Sequence, residues 1–219
     1  MKKTAIFLLT IPLFFAWLLI PVTGCSGRDP LKELRDGDIL FQVTGSVLSL
    51  AIREAMDSPY CHCGIACRLD GRWYVYEAIQ PVSLTPLQEW IDRGMGRHYV
   101  VKRLRNADEV LTSVVLQKMQ QEGGAFYRKD YDTYFNWSDE RIYCSELVWK
   151  IYHRATGIEL GEFKKLHEFD LSAPFVQDKM EEIFGGNPTL DEPIISPAAI
   201  FECDLLEEVG RRGTLTTSK

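Results

Sequence analysis

The chain has 219 residues, enough for one well-buried domain and short for two. Its composition, 46% hydrophobic, 11% aromatic and 26% charged, is that of an ordinary globular protein. A net charge of −6 and the lack of any basic stripe repel phosphate backbones, so nucleic acid is not expected as a partner.

Met1 to Lys3 is a short cationic start, followed by an apolar run from Ala5 to Ile20. Pro12 in its middle and the lack of a second span make it a poor permanent anchor, and it reads as an export signal. Its end, Val22 to Cys25 (VTGC), resembles a bacterial lipobox: a branched apolar residue, two small ones, then the cysteine that is lipidated. Residues 1–25 are therefore expected to be a lipoprotein signal with Cys25 as the lipidation site. Two or more acyl chains on one cysteine would hold the protein stably on a membrane. Ser26 is non-acidic, as in lipoproteins sent to the outer membrane, so a lipid-anchored place in the cell envelope, at the outer membrane, is expected. The alternative is a plain cleaved signal with an incidental cysteine.

Residues 26–33 read as a tether, 34–210 as one domain and 211–219 as a polar tail. Ile39 to Val43 is a predicted strand, and Val47 to Ala55 a short helix by its apolar spacing. Cys61 to Ala66 and Tyr74 to Ala78 are two β-rich runs joined through Asp70-Gly71, a strong hairpin signal. Pro86 to Arg93 reads as helix and Tyr99 to Arg103 as strand. Ala107 to Gln121 is predicted as one longer amphipathic helix with Val110, Leu111, Val114, Val115 and Met119 inward. Tyr143 to Thr156 is a further helix with Gly157 as its C-cap, and Ala198 to Val209 a short terminal element. Helices and strands interspersed with hairpin-length connections predict an α+β fold, a small antiparallel sheet packed with helices.

Cys144 lies in the first turn of a predicted helix. Free N–H groups and the positive dipole end there stabilise a thiolate and can hold an oxyanion. Its candidate base is His62. With Asp70 and Gly71 as turn residues, facing positions sum to 141, so Glu77 faces Gly64 and stands diagonal to His62 on the same side of the ribbon. A carboxylate there fixes the imidazole tautomer and stabilises its cation, and Gly64 leaves room for the contact. Taken singly, each residue has a plain structural reading: a small buried hydrophobe, a strand histidine, a solvated acid. Cys61, Cys63 and Cys67 raise a metal site as an alternative, but C-H-C-x3-C departs from paired CxxC ligands. Strand alternation also turns these three cysteines to the face opposite His62. No metal and no cofactor are expected. A disulfide within one strand is geometrically poor, leaving Cys203 as their one distant pairing option besides Cys144.

These residues resemble the permuted papain-like amidases, the YaeF/YiiX-type group of the NlpC superfamily of cysteine peptidases. Leu34 to Gln42 (LRDGDILFQ) resembles the family's opening Gly-Asp strand. Ser58 to Ile65 (SPYCHCGI), followed by Val75 to Ala78 (VYEA), resembles its histidine hairpin. Tyr127 to Asp132 (YRKDYD) with Tyr143 to Val148 (YCSELV) resembles its nucleophile segment. The resemblance spans about residues 34 to 160. It implies a circularly permuted papain-like (NlpC-type) fold, with Cys144 as nucleophile, His62 as base and Glu77 as the orienting third member. It also implies hydrolysis of an amide or ester. Cys61 and Cys63 depart from the pattern, where Ser and Val are expected, and Cys63 for Val reads as a harmless apolar swap.

The loop before the nucleophile (YDTYFNWSDERIY) is polar and aromatic. Tyr131, Asp132 and Trp137 are its candidate substrate contacts, with packing as the alternative role. It lacks the long apolar stretch of an acyl-chain tunnel, so a peptide-like or aminoacyl substrate, possibly cell-wall derived, is expected. The competing readings are a lipid or acyl-ester hydrolase or acyltransferase of the same fold, and a non-catalytic peptide-binding lipoprotein.

Overall fold

A tight turn at Asp70 and Gly71 sets the frame of the sheet. Both residues have positive φ, 48° and 77°, as a two-residue hairpin turn requires. They join β2 (His62–Leu69) to β3 (Arg72–Glu77), and the pairs Ile65 with Tyr76 and Ala66 with Val75 carry the expected register. The computed structural model describes residues 29–215. The expected signal, Cys25 and the last four residues of the polar tail lie outside the described residues.

β1 (Ile39–Gln42) pairs antiparallel with β2 on one side and with β5 (Tyr99–Leu104) on the other. β4 (Ser83–Pro86) extends the sheet beyond β3, and β10 (Leu206–Arg212) closes its other edge against β5. The result is one six-stranded antiparallel sheet in the order β10-β5-β1-β2-β3-β4. Helix α1 (Val47–Met56) follows β1, and α2 (Leu87–Arg93) follows β4. Two strand pairs of two residues each pin the loops: β6 (Asp130–Tyr131) with β7 (Arg141–Ile142), and β8 (Lys164–Lys165) with β9 (Pro193–Ile194).

Alternation along the strands divides the core in two. Ile39, Phe41, Cys63, Ile65 and Val100 point to one face, where α5 (Cys144–Thr156) presents Leu147, Val148, Ile151 and Tyr152. Leu40, Ala66, Val75 and Val101 point to the other, covered by Leu87, Trp90 and Ile91 of α2. Each such side chain contributes roughly 1.5–3 kcal/mol when removed from water. Gly157 ends α5 at φ 79° in the left-handed conformation. Asp38 anchors the start of β1: its carboxylate accepts from Arg103 Nε and Nη2, both at 2.7 Å, and from the Arg35 amide at 2.8 Å.

Three expectations are corrected. The segment after β5 is not one helix but two, α3 (Ala107–Val110) and α4 (Ser113–Phe126). Thr112 intervenes because its side chain caps α4, accepting from the Val115 amide. The break resets the helical phase, so Val114 is 73% exposed rather than inward. The terminal element is α7 (Pro197–Phe201) followed by the edge strand β10, whose charged alternation (LEEVGRR) suits an edge. Pro30–Lys32, placed in the tether by sequence, is a 3-10 turn against β10, and Arg212 pairs with Asp29 at 3.0 Å. Helix α6 (Pro174–Phe184), not anticipated, packs on α1. Among the described residues, no helix is long and apolar enough to cross a membrane.

Gly64 and Gly124 give opposite predictions. A Cβ on Gly64 would lie 2.5 Å from Val75 Cγ1, 2.7 Å from the Tyr76 carbonyl oxygen and 3.2 Å from Glu77 Cβ. Gly124, inside α4, has nothing within 4 Å. In urea unfolding, Gly64→Ala is expected to lower stability by about 1–3 kcal/mol, and Gly124→Ala to raise it by about 0.5–1 kcal/mol.

Candidate active site

Cys144 opens α5 and is buried, 3% exposed, with its sulfur at the helix N-terminus. Glu146 Oε2 accepts from the Tyr143 amide and fixes the first turn. Below it, Lys150 Nζ reaches Glu146 Oε1 at 2.7 Å, the Ser138 carbonyl at 2.6 Å and Asp139 at 2.9 Å. This ties the preceding loop to the helix that carries the thiol. Burial, outweighing Lys150, raises Glu146 to about 7.

His62 is the first residue of β2, and Glu77 the last of β3. As the register predicts, the two meet: His62 Nε2 lies 2.5 Å from Glu77 Oε2. The remaining ring nitrogen, Nδ1, is not used by Glu77, and the ring lies close enough to Cys144 for each group to shift the other's pKa. Glu77 is 0% exposed, and three further contacts compensate it. Thr85 Oγ1 donates to Oε1 at 2.5 Å, and Arg93 Nη2 reaches both carboxylate oxygens at 2.5 Å.

The electrostatics follow from these contacts. Burial pushes Glu77 up, but His62, Arg93 and Thr85 together win and hold it at about 2. Burial pushes His62 down, and the hydrogen bonds and charges of Cys144 and Glu77 override it, to about 10. Cys144 is held well below an ordinary thiol, first by a hydrogen bond from the Cys63 thiol, against the opposing cost of burial, and then by His62. Cys63, raised far up by burial and by its bond to Cys144, stays protonated as the donor. The favoured state is a thiolate–imidazolium pair.

The expectation that Cys61, Cys63 and Cys67 turn away from the site holds for Cys67 alone. Cys63 touches the thiol, and the Cys61 carbonyl lies 3.9 Å from Cys144 Sγ. Alternation is obeyed, but α5 packs on the face that Cys63 occupies. β3 stops at Glu77, opposite Gly64, so no strand flanks His62 on that side and its ring reaches the thiol at the sheet's corner. All five described cysteines are free.

Of the loop residues, only Tyr131 reaches the site: it shares a cavity wall with Cys144, and burial and the neighbouring thiol push its hydroxyl well above its usual pKa. Asp132 is buried and caps its own loop, accepting from the Tyr134 and Asn136 amides at 2.9 Å. Trp137 packs edge-on to Trp149 and Phe163, with Lys150 over its ring. Neither faces the thiol. Thr85 and Arg93 were missed, since nothing local in the sequence ties them to Glu77.

Two cavities meet at the thiol. One, about 90 Å³, has Cys144 in its wall and is lined by α1, α6 and the β9–α7 segment. The other, about 760 Å³ and open, has His62 in its wall together with Arg93, Gln80, Asp130 and Arg141. Leu48, Ile52, Cys61 and Tyr131 line both.

Comparison with known proteins agrees with this arrangement. Residues 33–210 match the model of the permuted papain-like amidase enzymes, YaeF/YiiX, C92 family. The chain is 42% identical over 179 residues to the uncharacterized protein YiiX of Escherichia coli (strain K12), covering 82% of this chain and 87% of that one. The crystal structure of yiiX from Escherichia coli O157:H7, described as a metalloprotein, superposes with a TM-score of 0.78 at 42% identity, over 82% of this chain and 98% of that one. In this chain the donors do not fit a metal. Among the described residues no group of three or more His, Cys, Asp or Glu side chains is placed to hold a metal ion, and His62 Nε2 is taken by Glu77. With half-buried Tyr131 and buried Cys144, His62 and Glu77 assembled on the expected fold, the chain belongs to the permuted papain-like amidase family.

Proposed function

We propose that this protein is a cysteine amidase in which Cys144 attacks the carbonyl of an amide in a peptide or aminoacyl compound. One observation carries the reading: His62 Nε2 is held by the buried Glu77 carboxylate while its ring stands beside the Cys144 thiol at the start of α5, close enough for each to shift the other's pKa. The thiolate adds to the carbonyl carbon, and the oxyanion takes hydrogen bonds from the N-terminal amides of α5 and from the Tyr131 hydroxyl. His62 gives its proton to the departing nitrogen, the C–N bond breaks, and a thioester remains. Water, deprotonated by His62, then releases the acid and restores the thiol. Glu77, charged at any working pH, keeps the imidazole oriented throughout. Export and anchoring at the outer membrane through a lipid on Cys25 belong to the same proposal and rest on the VTGC segment.

Alkylation by iodoacetamide, followed by mass spectrometry, tests the thiolate. His62 stays cationic up to about pH 10 and Cys144 ionises well below its usual value, so the pair exists across neutral pH. The Cys144 rate is expected to be nearly flat between pH 6 and 8, where an ordinary thiol falls by roughly 50- to 100-fold. Glu77→Gln lowers the His62 pKa, and His62→Ala removes the cation. Each is expected to move the alkylation midpoint toward the ordinary cysteine value. A wild-type midpoint near 8.5 would refute the pair.

Amide hydrolysis gives the second test. Cys144→Ala is expected to abolish it, and Tyr131→Phe to lower kcat by about 10- to 100-fold with little change in KM. Wild-type turnover by Cys144→Ala would sink the mechanism.

A further inference from the structure

The reaction proposed above gives a chemical step to Cys144 and none to the two cysteines beside it, Cys61 and Cys63, although all three thiols are free and buried. Ala66 of β2 donates its amide to the Asp38 carbonyl beside β1, so the even residues of β2 turn their backbone groups to β1 and the odd residues turn theirs to β3. Ile65 finds Tyr76 there, but β3 ends at Glu77, and Cys63 has no strand partner on that side. Cys144 Sγ takes that place: it lies 3.9 Å from the carbonyl oxygen of Cys61, an odd residue, on the open side of β2. Cys61 and Cys63, two apart, turn their side chains to the face that α5 covers, where Cys63 joins Leu147 and Val148 in the core. Cys63 and Cys144 are close enough for each thiol to shift the other, Cys144 down and Cys63 up.

The two neighbours are not equivalent. The Cys61 thiol is turned toward β1, donating to the Gln42 carbonyl at 3.9 Å and accepting from the Thr44 amide at 3.4 Å. Cys67 lies in the wall of a separate small cavity with Tyr76 and Met119, and Cys203 follows α7. Resting on the reactive Cys144 thiol of the amidase reading, we propose that Cys63 is its resolving partner: a hydroperoxide oxidises Cys144, and Cys63 then closes a Cys63–Cys144 disulfide that caps the nucleophile. The Cys144 thiolate attacks the outer peroxide oxygen, the O–O bond breaks, and His62 gives its proton to the departing oxygen. The sulfur loses two electrons and becomes a sulfenic acid, while the hydroperoxide is reduced to the alcohol, or to water if it is hydrogen peroxide. The Cys63 sulfur attacks the oxidised sulfur, the S–O bond breaks, the S–S bond forms, and the departing hydroxide takes the Cys63 proton as water. The pocket of about 90 Å³ with Cys144 in its wall admits a molecule as small as hydrogen peroxide. A sulfenic acid left open goes on to sulfinic and sulfonic acids, whereas a disulfide stops at a stage that a dithiol reverses. Export, part of the same proposal, takes the chain to a compartment where disulfides persist.

The test treats the purified full chain with stoichiometric hydrogen peroxide at pH 7, then with iodoacetamide, and maps the peptides by mass without reductant. The expected product is a cross-link between the β2 and α5 peptides, lighter by one hydrogen from each thiol. Dithiothreitol is expected to remove it and to restore Cys144 alkylation. Fragmentation between residues 61 and 63 locates the bond in the wild type without any substitution. Cys61→Ser is expected to keep the cross-link. Cys63→Val and Cys63→Ser, each checked for fold by its thermal transition, are expected to lose it and to raise the irreversibly oxidised share of Cys144 by about tenfold. A bond that maps to Cys61, or wild-type Cys144 that passes to sulfinic acid with no disulfide, overturns the proposal. Alkylation of the untreated chain at pH 6 separates it from the reading beneath it. Rapid labelling with no cross-link overturns the disulfide alone, and an ordinary thiol's slow labelling with no cross-link removes the amidase reading as well.

Discussion

The pairing of Glu77 opposite Gly64 constrains everything around the thiol. The hairpin turn fixes which residues face one another, and a strand slipped by one position would throw Glu77 to the other side of the sheet, away from His62. Gly64 has no alternative, because any Cβ there enters Val75 and the Tyr76 carbonyl. With that space kept, the carboxylate lies flat against the ribbon, and the imidazole at the sheet's corner is pinned by one nitrogen. The other nitrogen has a single orientation left, and α5 brings the thiol to it. A local steric fact in a hairpin thus determines the geometry of a contact spanning more than eighty positions of chain.

The charges form a chain of alternating sign: Arg93 cation, Glu77 carboxylate, His62 imidazolium, Cys144 thiolate. Glu77, His62 and Cys144 are buried, and any one of these three alone would be driven neutral by the loss of water, while Arg93 reaches Glu77 from the more exposed edge. Glu77 keeps its charge because three donors replace its hydration. His62 gains its proton because it stands between two anions. Removing a middle member leaves an uncompensated charge on each side, which is why such pairs are costly to break though their net contribution to stability is small. The Cys63 thiol extends the chain past the sulfur with a neutral donor, supplying to the thiolate what a valine there cannot.

The hairpin, the helix that Cys144 opens and the His62–Glu77 contact were legible because each depends on local rules: turn residues, alternation and helix phase. What escaped depends on distant chain. Thr85 and Arg93 reach Glu77 only after β4 has added to the sheet and α2 has folded back over it, and no spacing encodes that arrival. Cys63 was misplaced although its strand face was right, because the face on which α5 docks is a tertiary choice. Trp137 and Asp132 look like cleft residues by composition, yet a loop that must hold its own turns uses the same types. Asp132 spends its carboxylate on backbone amides, and Trp137 serves as the lid over Lys150. The apolar pocket draws on α1, the 131–145 stretch, α6 and the 194–197 segment, so no single window of sequence shows its wall.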